Sequence, residues 1–263
     1  MNFLPVSKDK QSNKHSQMKS TTLVSLNSVA CRQLGLAAFL AAATATHAQS
    51  TLTSGHADVG VLYESDGWNL HVHAHAPEPD GTEYTPAEAV LQVGAAGRST
   101  VPGSPAYAFL GPAGAPVYIL PQVENPALLF LGIGTEEQAS GMFVNDAMTL
   151  SLTGVSGLGS FFMYEVGAFG TPTVLMNSAN GVTAADQASL LAGGHKHVNW
   201  AFSAPGDYQV TFRGSGVLAD GLNTFSQSAP ATYTFSVVPE PGSASLLLLG
   251  GTALFGLRRR TRV

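Results

Sequence analysis

Cysteine is almost absent from this 263-residue chain, in which Cys31 is the only example. It lies upstream of the apolar run "LGLAAFLAAA" rather than at its end, which argues against a lipoprotein cleavage site. The segment around Cys31 has the composition of a removable leader. We therefore expect the mature protein to contain neither a disulfide nor thiolate chemistry.

Basic residues are scarce between residues 49 and 238. Arg98, Lys196 and Arg213 stand there against 15 acidic residues, and the formal charge is near −12. A surface of this sign repels phosphate groups, so neither nucleic acid nor anionic lipid is an expected partner. The acidic surface is compatible with cation binding, and it is equally an ordinary means of staying soluble.

The common catalytic signatures are also missing. The sequence has no Gly-x-Ser-x-Gly elbow, Walker loop, dinucleotide fingerprint or His-Glu-x-x-His helix. Glu136 and Glu137 are adjacent in a predicted loop and point in different directions, which does not suit glycoside hydrolysis. We therefore do not expect an enzyme, although an open metal site could still activate water or support a redox reaction.

The first 48 residues have the composition of a signal peptide. Basic residues (Lys8, Lys10, Lys14, Lys19 and Arg32) precede the apolar run, which closes in the small-residue stretch "TATHAQS". This order predicts cleavage after Ala48 by signal peptidase. Met18 followed by Lys19 would make an alternative start of the same signal.

Residues 239–263 have a second targeting pattern. The tripeptide Pro239, Glu240 and Pro241 precedes an apolar run that ends near Leu257, and Arg258, Arg259 and Arg260 follow. This order resembles the PEP-CTERM sorting signal, which implies recognition by an exosortase in a Gram-negative bacterium. The apolar run predicts a hydrophobic helix a little short of the ~20 residues that span a bilayer. A plain C-terminal membrane anchor is the alternative.

Between these ends the apolar residues mostly recur with a period of two. The runs end in Gly, Pro, Asn or Asp, which is typical of half-buried antiparallel strands. Examples are "VGVLYE", "WNLHVHAH", "TLSLTGV", "SFFMYEV", "NWAFSA", "YQVTFRG" and "ATYTFSVV". Only "TPAEAVLQVG" and "TAADQASLLAGG" are candidates for short helices. We predict an all-β surface domain over residues 49–238, an antiparallel β-sandwich of Ig-like or jelly-roll style.

Two segments give more specific predictions. In "HVNWAFSAPGDYQVTFRG" the turn "SAPGD" separates two sets of alternating apolar residues: Val198, Trp200 and Phe202, then Tyr208, Val210 and Phe212. This pattern predicts a β-hairpin with an aromatic inner face. Residues 101–137 are rich in Pro and Gly yet apolar, which indicates ordered loop and short edge strand packed on the sandwich.

Six of the eight histidines lie in this body, most of them two residues apart. His71, His73 and His75 alternate along "NLHVHAHAPE", and His195 and His197 form a second pair that Asn199 continues. Alternate side chains on one strand are ~6.8 Å apart, so two imidazoles can converge on one ion but three would do so only with strain. His56 and Asp58 are a further pair with the same spacing. We interpret Asp80, Glu83 and Glu88 as loop surface.

The segment "GHKHVNWAFSAPGDYQVTF", residues 194–212, resembles the surface-anchored domain first noted in actinobacteria, with its Gly-His-x-His-x-Asn-Trp signature. With "SGHADVGVLYESDGWNLHVH", "FLGPAGAPVYILPQ" and "FGTPTVLMNSANG" it is similar to the choice-of-anchor M architecture over about residues 54–225. Members share a body and differ in their surface anchor, and they are often encoded beside transporters thought to carry metal ions. The resemblance therefore implies metal handling, with a metal transporter component as a partner.

Three functions remain open at this point. The first is an exported, exosortase-sorted protein of the cell surface or extracellular matrix that binds Zn²⁺ or Cu²⁺, since imidazole suits both ions. Its predicted ligands are His56, His71, His73, His195 and His197. The second is a structural or adhesive matrix protein without metal, and the third is a metal-dependent surface enzyme. The test that separates them is whether the imidazoles of His56, His73, His195 and His197 converge.

Overall fold

A computed structural model of the chain describes residues 49–76 and 81–239. The predicted signal peptide, the sorting segment from Glu240 with its hydrophobic helix, and Asp80 lie outside these residues. Among the described residues, no helix has the length and apolar character that crossing a membrane requires.

The described part of the chain is built mainly of β-strands. In chain order they are β1 (Ser50–Leu52), β2 (Gly55–Glu64), β3 (Gly67–Ala76), β4 (Thr82–Tyr84), β5 (Ala89–Val93), β6 (Arg98–Thr100), β7 (Pro116–Leu120), β8 (Leu129–Gly134), β9 (Phe143–Ser156), β10 (Phe161–Val166), β11 (Pro172–Asn177), β12 (Gln187–Leu191), β13 (His195–His197), β14 (Asn199–Phe202), β15 (Gly206–Leu218), β16 (Phe225–Gln227) and β17 (Ala231–Val237). Three short 3₁₀ helices cover Ala95–Gly97, Pro105–Leu110 and Ser178–Asn180.

The strands form three sheets. The large sheet has the order β1-β5-β17-β15-β9-β12, with β16 paired to β15. The histidine sheet has the order β13-β8-β2-β3-β4, and the third sheet has the order β11-β10-β14-β7-β6. The all-β prediction is confirmed, but a purely antiparallel arrangement is wrong. Strand β5 runs parallel to both β1 and β17, and β2 runs parallel to β8.

One apolar core joins the three sheets in a sandwich-like arrangement. Val59 of the histidine sheet, Trp200 of the third sheet and Leu91 of the large sheet are all fully buried in the same cluster. Aromatic rings meet across it, with centroids 6.1 Å apart for Trp200 and Phe212. The Trp200 indole also donates a hydrogen bond to the Leu131 carbonyl at 3.1 Å, which ties β14 to β8. The Ig-like or jelly-roll style stays a prediction.

The predicted hairpin is wrong, although its two apolar faces are right. All six predicted inward residues are buried in the core. However, β14 pairs with β10 and β7, whereas β15 pairs with β9, β16 and β17. The turn therefore carries the chain from the third sheet to the large sheet, and the two aromatic faces pack against each other instead of lying side by side.

Both candidate helix segments contain strands instead. Ala89–Val93 and Gln187–Leu191 alternate in burial residue by residue, as expected for one buried face. The Pro- and Gly-rich middle segment is ordered, as predicted, and its 3₁₀ helix Pro105–Leu110 contributes Leu110 to a second apolar cluster. Its strands β7 and β8 are interior strands, so their assignment to a sheet edge is wrong.

Candidate metal centre

The two faces of the histidine sheet differ sharply in chemistry. On β3, Leu70, Val72 and Ala74 are buried in the apolar core. His71, His73 and His75 alternate with them and lie on the opposite face, as the spacing predicts. This face is not fully exposed to solvent, because His71 is only 3 % exposed.

Strand register brings distant parts of the sequence into one row on this face. Directly paired residues point to the same side of a sheet. The row runs across all five strands through His197, Gly132, Asp58, His73 and Glu83. Strands β13 and β3 are thus not neighbours, and Asp58 lies between their histidines.

Gly132 leaves room above β8 for side chains from both neighbouring strands. A Cβ atom at this position would overlap Asp58 Oδ1 and would lie 2.8 Å from His195 Nε2. Adjacent strands are separated by ~4.8 Å, so a side chain on β8 would separate β13 from β2. The missing side chain lets the His195 imidazole reach Asp58 over the intervening strand.

The first cluster consists of His56, Asp58, His195 and His197. One ligand atom from each lies within 4.8 Å of the others, and the group could hold a metal ion. His195 Nε2 lies 2.9 Å from Asp58 Oδ1, and His56 Nε2 lies 3.3 Å from Asp58 Oδ2. Ligands bound to one ion at ~2.0 Å in a tetrahedron are ~3.3 Å apart, so only small side-chain movements would complete the shell.

Several polar atoms of the first cluster are buried without a hydrogen bond. Among the described residues, Asp58 Oδ1, His56 Nε2 and His197 Nδ1 have no hydrogen-bond partner of acceptable geometry. Asp58 itself is 1 % exposed. Burying a carboxylate is costly unless a positive charge or a set of donors compensates it. A cation among these atoms would satisfy all of them.

Two of the histidines around Asp58, His56 and His197, supply little of that positive charge. Burial, followed by the proximity of His195, lowers the pKa of His197 to about 4. Burial is also the main cause that lowers the pKa of His56. Both rings are therefore neutral near pH 7, which is the protonation state that coordinates a metal ion.

A second cluster lies beside the first and consists of His71, His73, Glu83 and Glu137. His71 Nε2 is 3.3 Å from Glu137 Oε2, and His73 Nδ1 is 3.4 Å from Glu137 Oε1. His75 belongs to a third group with Asp58 and Glu136, and its Nε2 is 3.2 Å from Asp58 Oδ2. The three histidines of β3 are thus divided between groups.

The loop after β8 supplies both glutamates. The Thr135 backbone N–H donates a hydrogen bond to the Gly194 carbonyl at 2.8 Å, and the Gln138 side-chain Oε1 accepts one from the Tyr63 backbone N–H at 2.8 Å. Between these two attachments, Glu136 Oε1 lies 2.8 Å from His195 Nδ1, while Glu137 faces the second cluster. The two carboxylates do point in different directions, each toward a different group of histidines.

The predicted ligands therefore fall into two sets. His56, His195 and His197 come together, whereas His71 and His73 belong to the second cluster, so His73 does not converge with the other three. Asn199 is not in the site, because its side-chain amide bonds Gln122 and the Tyr164 carbonyl. The chain passes from the histidine sheet to the third sheet at residue 198, so Asn199 belongs to a different sheet from His195 and His197.

The sequence-based ligand set omitted three acidic residues. Asp58 was recognised only as the partner of His56 in an i, i+2 pair. Glu83 is exposed, as the loop-surface interpretation predicts, but it lies on strand β4 directly opposite His73 and not in a loop. Glu137 carries no sequence signal beyond its acidity, since its position depends on the path of the loop.

Comparisons with known proteins add no further site residue. No protein-family model, no curated protein and no solved structure matches this chain. The resemblance to the choice-of-anchor M architecture therefore stays a prediction.

Proposed function

We propose that this protein binds a divalent metal ion through His56, Asp58, His195 and His197. The observation that carries the proposal is the buried Asp58 carboxylate, which is grouped with the imidazoles of His56, His195 and His197 and has an oxygen without a hydrogen bond. A metal ion would compensate the charge of the carboxylate and accept the lone pairs of the ring nitrogens. Because the ion would bind the folded chain and not the unfolded one, it would raise the free energy of unfolding.

The donor set favours zinc or copper. Three imidazole nitrogens and one carboxylate oxygen suit Zn²⁺ in a tetrahedral shell, and imidazole nitrogen also suits Cu²⁺. Four protein ligands fill such a shell, which is typical of sites that hold an ion. We therefore favour a binding module over an enzyme or a metal-free matrix protein.

We further propose that the binding module acts outside the cell. The signal peptide and the PEP-CTERM pattern support export, with signal peptidase and an exosortase as processing partners. The destination is then the cell surface, outer envelope or extracellular matrix of a Gram-negative bacterium. The strongly acidic body supports the same function, because its charge raises the local concentration of cations.

Metal uptake by the purified full chain tests the first cluster. After removal of metal with chelator, we expect tight binding of Zn²⁺ by titration calorimetry, and a loss of at least about 100-fold in affinity at this cluster in the double variant His195→Ala/His197→Ala. Lys196→Ala is the matched control, because Lys196 lies between the two histidines yet pairs with Glu165 at 2.8 Å.

Two outcomes would contradict the proposal. One is a chain that takes up no Zn²⁺ or Cu²⁺ and melts at the same temperature with and without chelator, as expected of a metal-free matrix protein. The other is a double variant that binds every ion of the wild type with unchanged affinity.

A further inference from the structure

We propose that the second cluster, His71, His73, Glu83 and Glu137, is a separate divalent cation site. The inference adds a second ion to the proposed function but uses none of the four ligands of the first cluster. Its donors come from three elements: β3 supplies both histidines, β4 supplies Glu83, and the loop after β8 supplies Glu137.

The buried imidazole of His71 gives the first reason for the site. His71 is 3 % exposed, and among the described residues neither Nδ1 nor Nε2 has a hydrogen-bond partner of acceptable geometry. Leaving a buried polar group without a partner costs about 1–3 kcal/mol. A metal ion bound to one ring nitrogen would recover part of that cost.

Gly60 shows that the fold reserves space for this ring. It lies opposite His71 on β2, and a Cβ atom there would overlap the imidazole. The ring therefore lies over β2, with its Nε2 atom 3.3 Å from Glu137 Oε2. A histidine that merely covered the sheet would need no such gap and would turn its polar edge to solvent.

The carboxylates give the second reason. The two oxygens of Glu137 face one histidine each, at 3.3 Å from His71 Nε2 and 3.4 Å from His73 Nδ1. These separations match the spacing of two ligands on one ion. His71, His73 and Glu137 also line a cavity of about 10 Å³, which is roughly the space of one water-sized particle.

The two clusters differ in charge and donor type. The second cluster offers two imidazoles and two carboxylates, whereas the first offers three imidazoles and one carboxylate. Oxygen-rich sites suit harder ions such as Mn²⁺ better than nitrogen-rich sites do. We therefore expect Zn²⁺ to fill both clusters and Mn²⁺ to prefer the second.

Counting the ions bound by variants of each cluster tests this inference. The full chain, freed of metal, is titrated with Zn²⁺ alone, and bound zinc is measured after desalting. We expect two ions per wild-type chain, one in Glu83→Gln/Glu137→Gln, and one in His195→Ala/His197→Ala. Affinity at the altered cluster should fall at least about 100-fold. A Mn²⁺ titration should lose its tighter phase only in the glutamine variant.

Glu64→Gln/Glu124→Gln is the matched control, since both residues are exposed and belong to none of the metal-binding groups. It should keep two ions. The glutamine variants keep side-chain size at exposed positions, and circular dichroism with chelator present checks that each variant is folded.

The outcomes separate this inference from the proposed function. A single wild-type ion that disappears in His195→Ala/His197→Ala refutes the second site and leaves the first intact. A single ion that disappears only in Glu83→Gln/Glu137→Gln supports the second site and refutes the first. Two ions bound with unchanged affinity in the glutamine variant refute the second site.

Discussion

At the scale of single residues, small side chains matter as much as the ligands. Gly132 lets His195 approach Asp58, and Gly60 accommodates His71. A side chain at Gly134 would also be crowded, since a Cβ atom there would lie 3.2 Å from Glu136 Oε2 and 3.3 Å from the Asp58 Cβ. These glycines lie in regular strands, where glycine is otherwise unfavourable. Their role is to let polar side chains from neighbouring strands meet above the sheet.

Gly132→Ala tests this role without changing any ligand. The added methyl group would displace Asp58 from its present position, and metal sites require ligands to be held within about 0.5 Å. We expect Zn²⁺ affinity at the first cluster to fall at least about tenfold, measured by titration calorimetry. Gly103→Ala is the control, since a Cβ atom at residue 103 has no neighbour within 4 Å. Equal affinities in both variants would contradict the role of Gly132.

The sequence could reveal the histidine ligands but not the whole site. Spacing of two residues put His195 with His197 and His56 with Asp58 on shared faces, and the structure brings these two pairs together. Glu83 and Glu137 could not be predicted, because one depends on the register of β3 against β4 and the other on a loop. Both are long-range features that local spacing does not encode.

At the scale of elements, the connection between β14 and β15 carries the chain from the third sheet to the large sheet. Tyr208 is buried, and its hydroxyl donates a hydrogen bond to the Ala204 carbonyl at 2.8 Å within the turn. Its ring packs on Phe202 with centroids 4.8 Å apart. Tyr208, in the strand that follows, therefore helps to fix the turn.

Tyr208→Phe removes this hydrogen bond and keeps the ring. We expect the free energy of unfolding to fall by about 0.5–1.5 kcal/mol in urea denaturation, the usual net value of one hydrogen bond. Tyr107→Phe removes an equivalent bond to the Gly170 carbonyl at 3.0 Å in an exposed setting, so its effect should be smaller. An equal or larger loss in Tyr107→Phe would argue against a special role for the turn.

Alternation explains both the success and the failure of the prediction for this segment. Period two determines which residues of a strand face the core, and that part was right for β14 and β15. It does not determine the pairing partner, because a hairpin and a connection between layers have the same alternation. The two candidate helices are strands for a related reason. A short apolar segment fits both the helical and the strand period, and only its burial against one face of a sheet shows that it is a strand.

At the scale of the whole molecule, the histidine sheet separates two kinds of chemistry. One face belongs to an apolar core shared with the other two sheets, and the opposite face carries the clusters that could hold metal ions. Rigid, well-packed strands hold ligands more accurately than loops do. All four residues of the first cluster lie on strands, which suits a preformed site.

Anomalous diffraction from crystals of the full chain, grown with one equivalent of Zn²⁺, tests the central claim most directly. We expect an anomalous peak at the zinc edge among His56, Asp58, His195 and His197, with three nitrogens and one oxygen at about 2.0–2.2 Å. No peak at this position, or a peak held only by surface carboxylates, would contradict the claim that Asp58 and its three histidines form a metal centre.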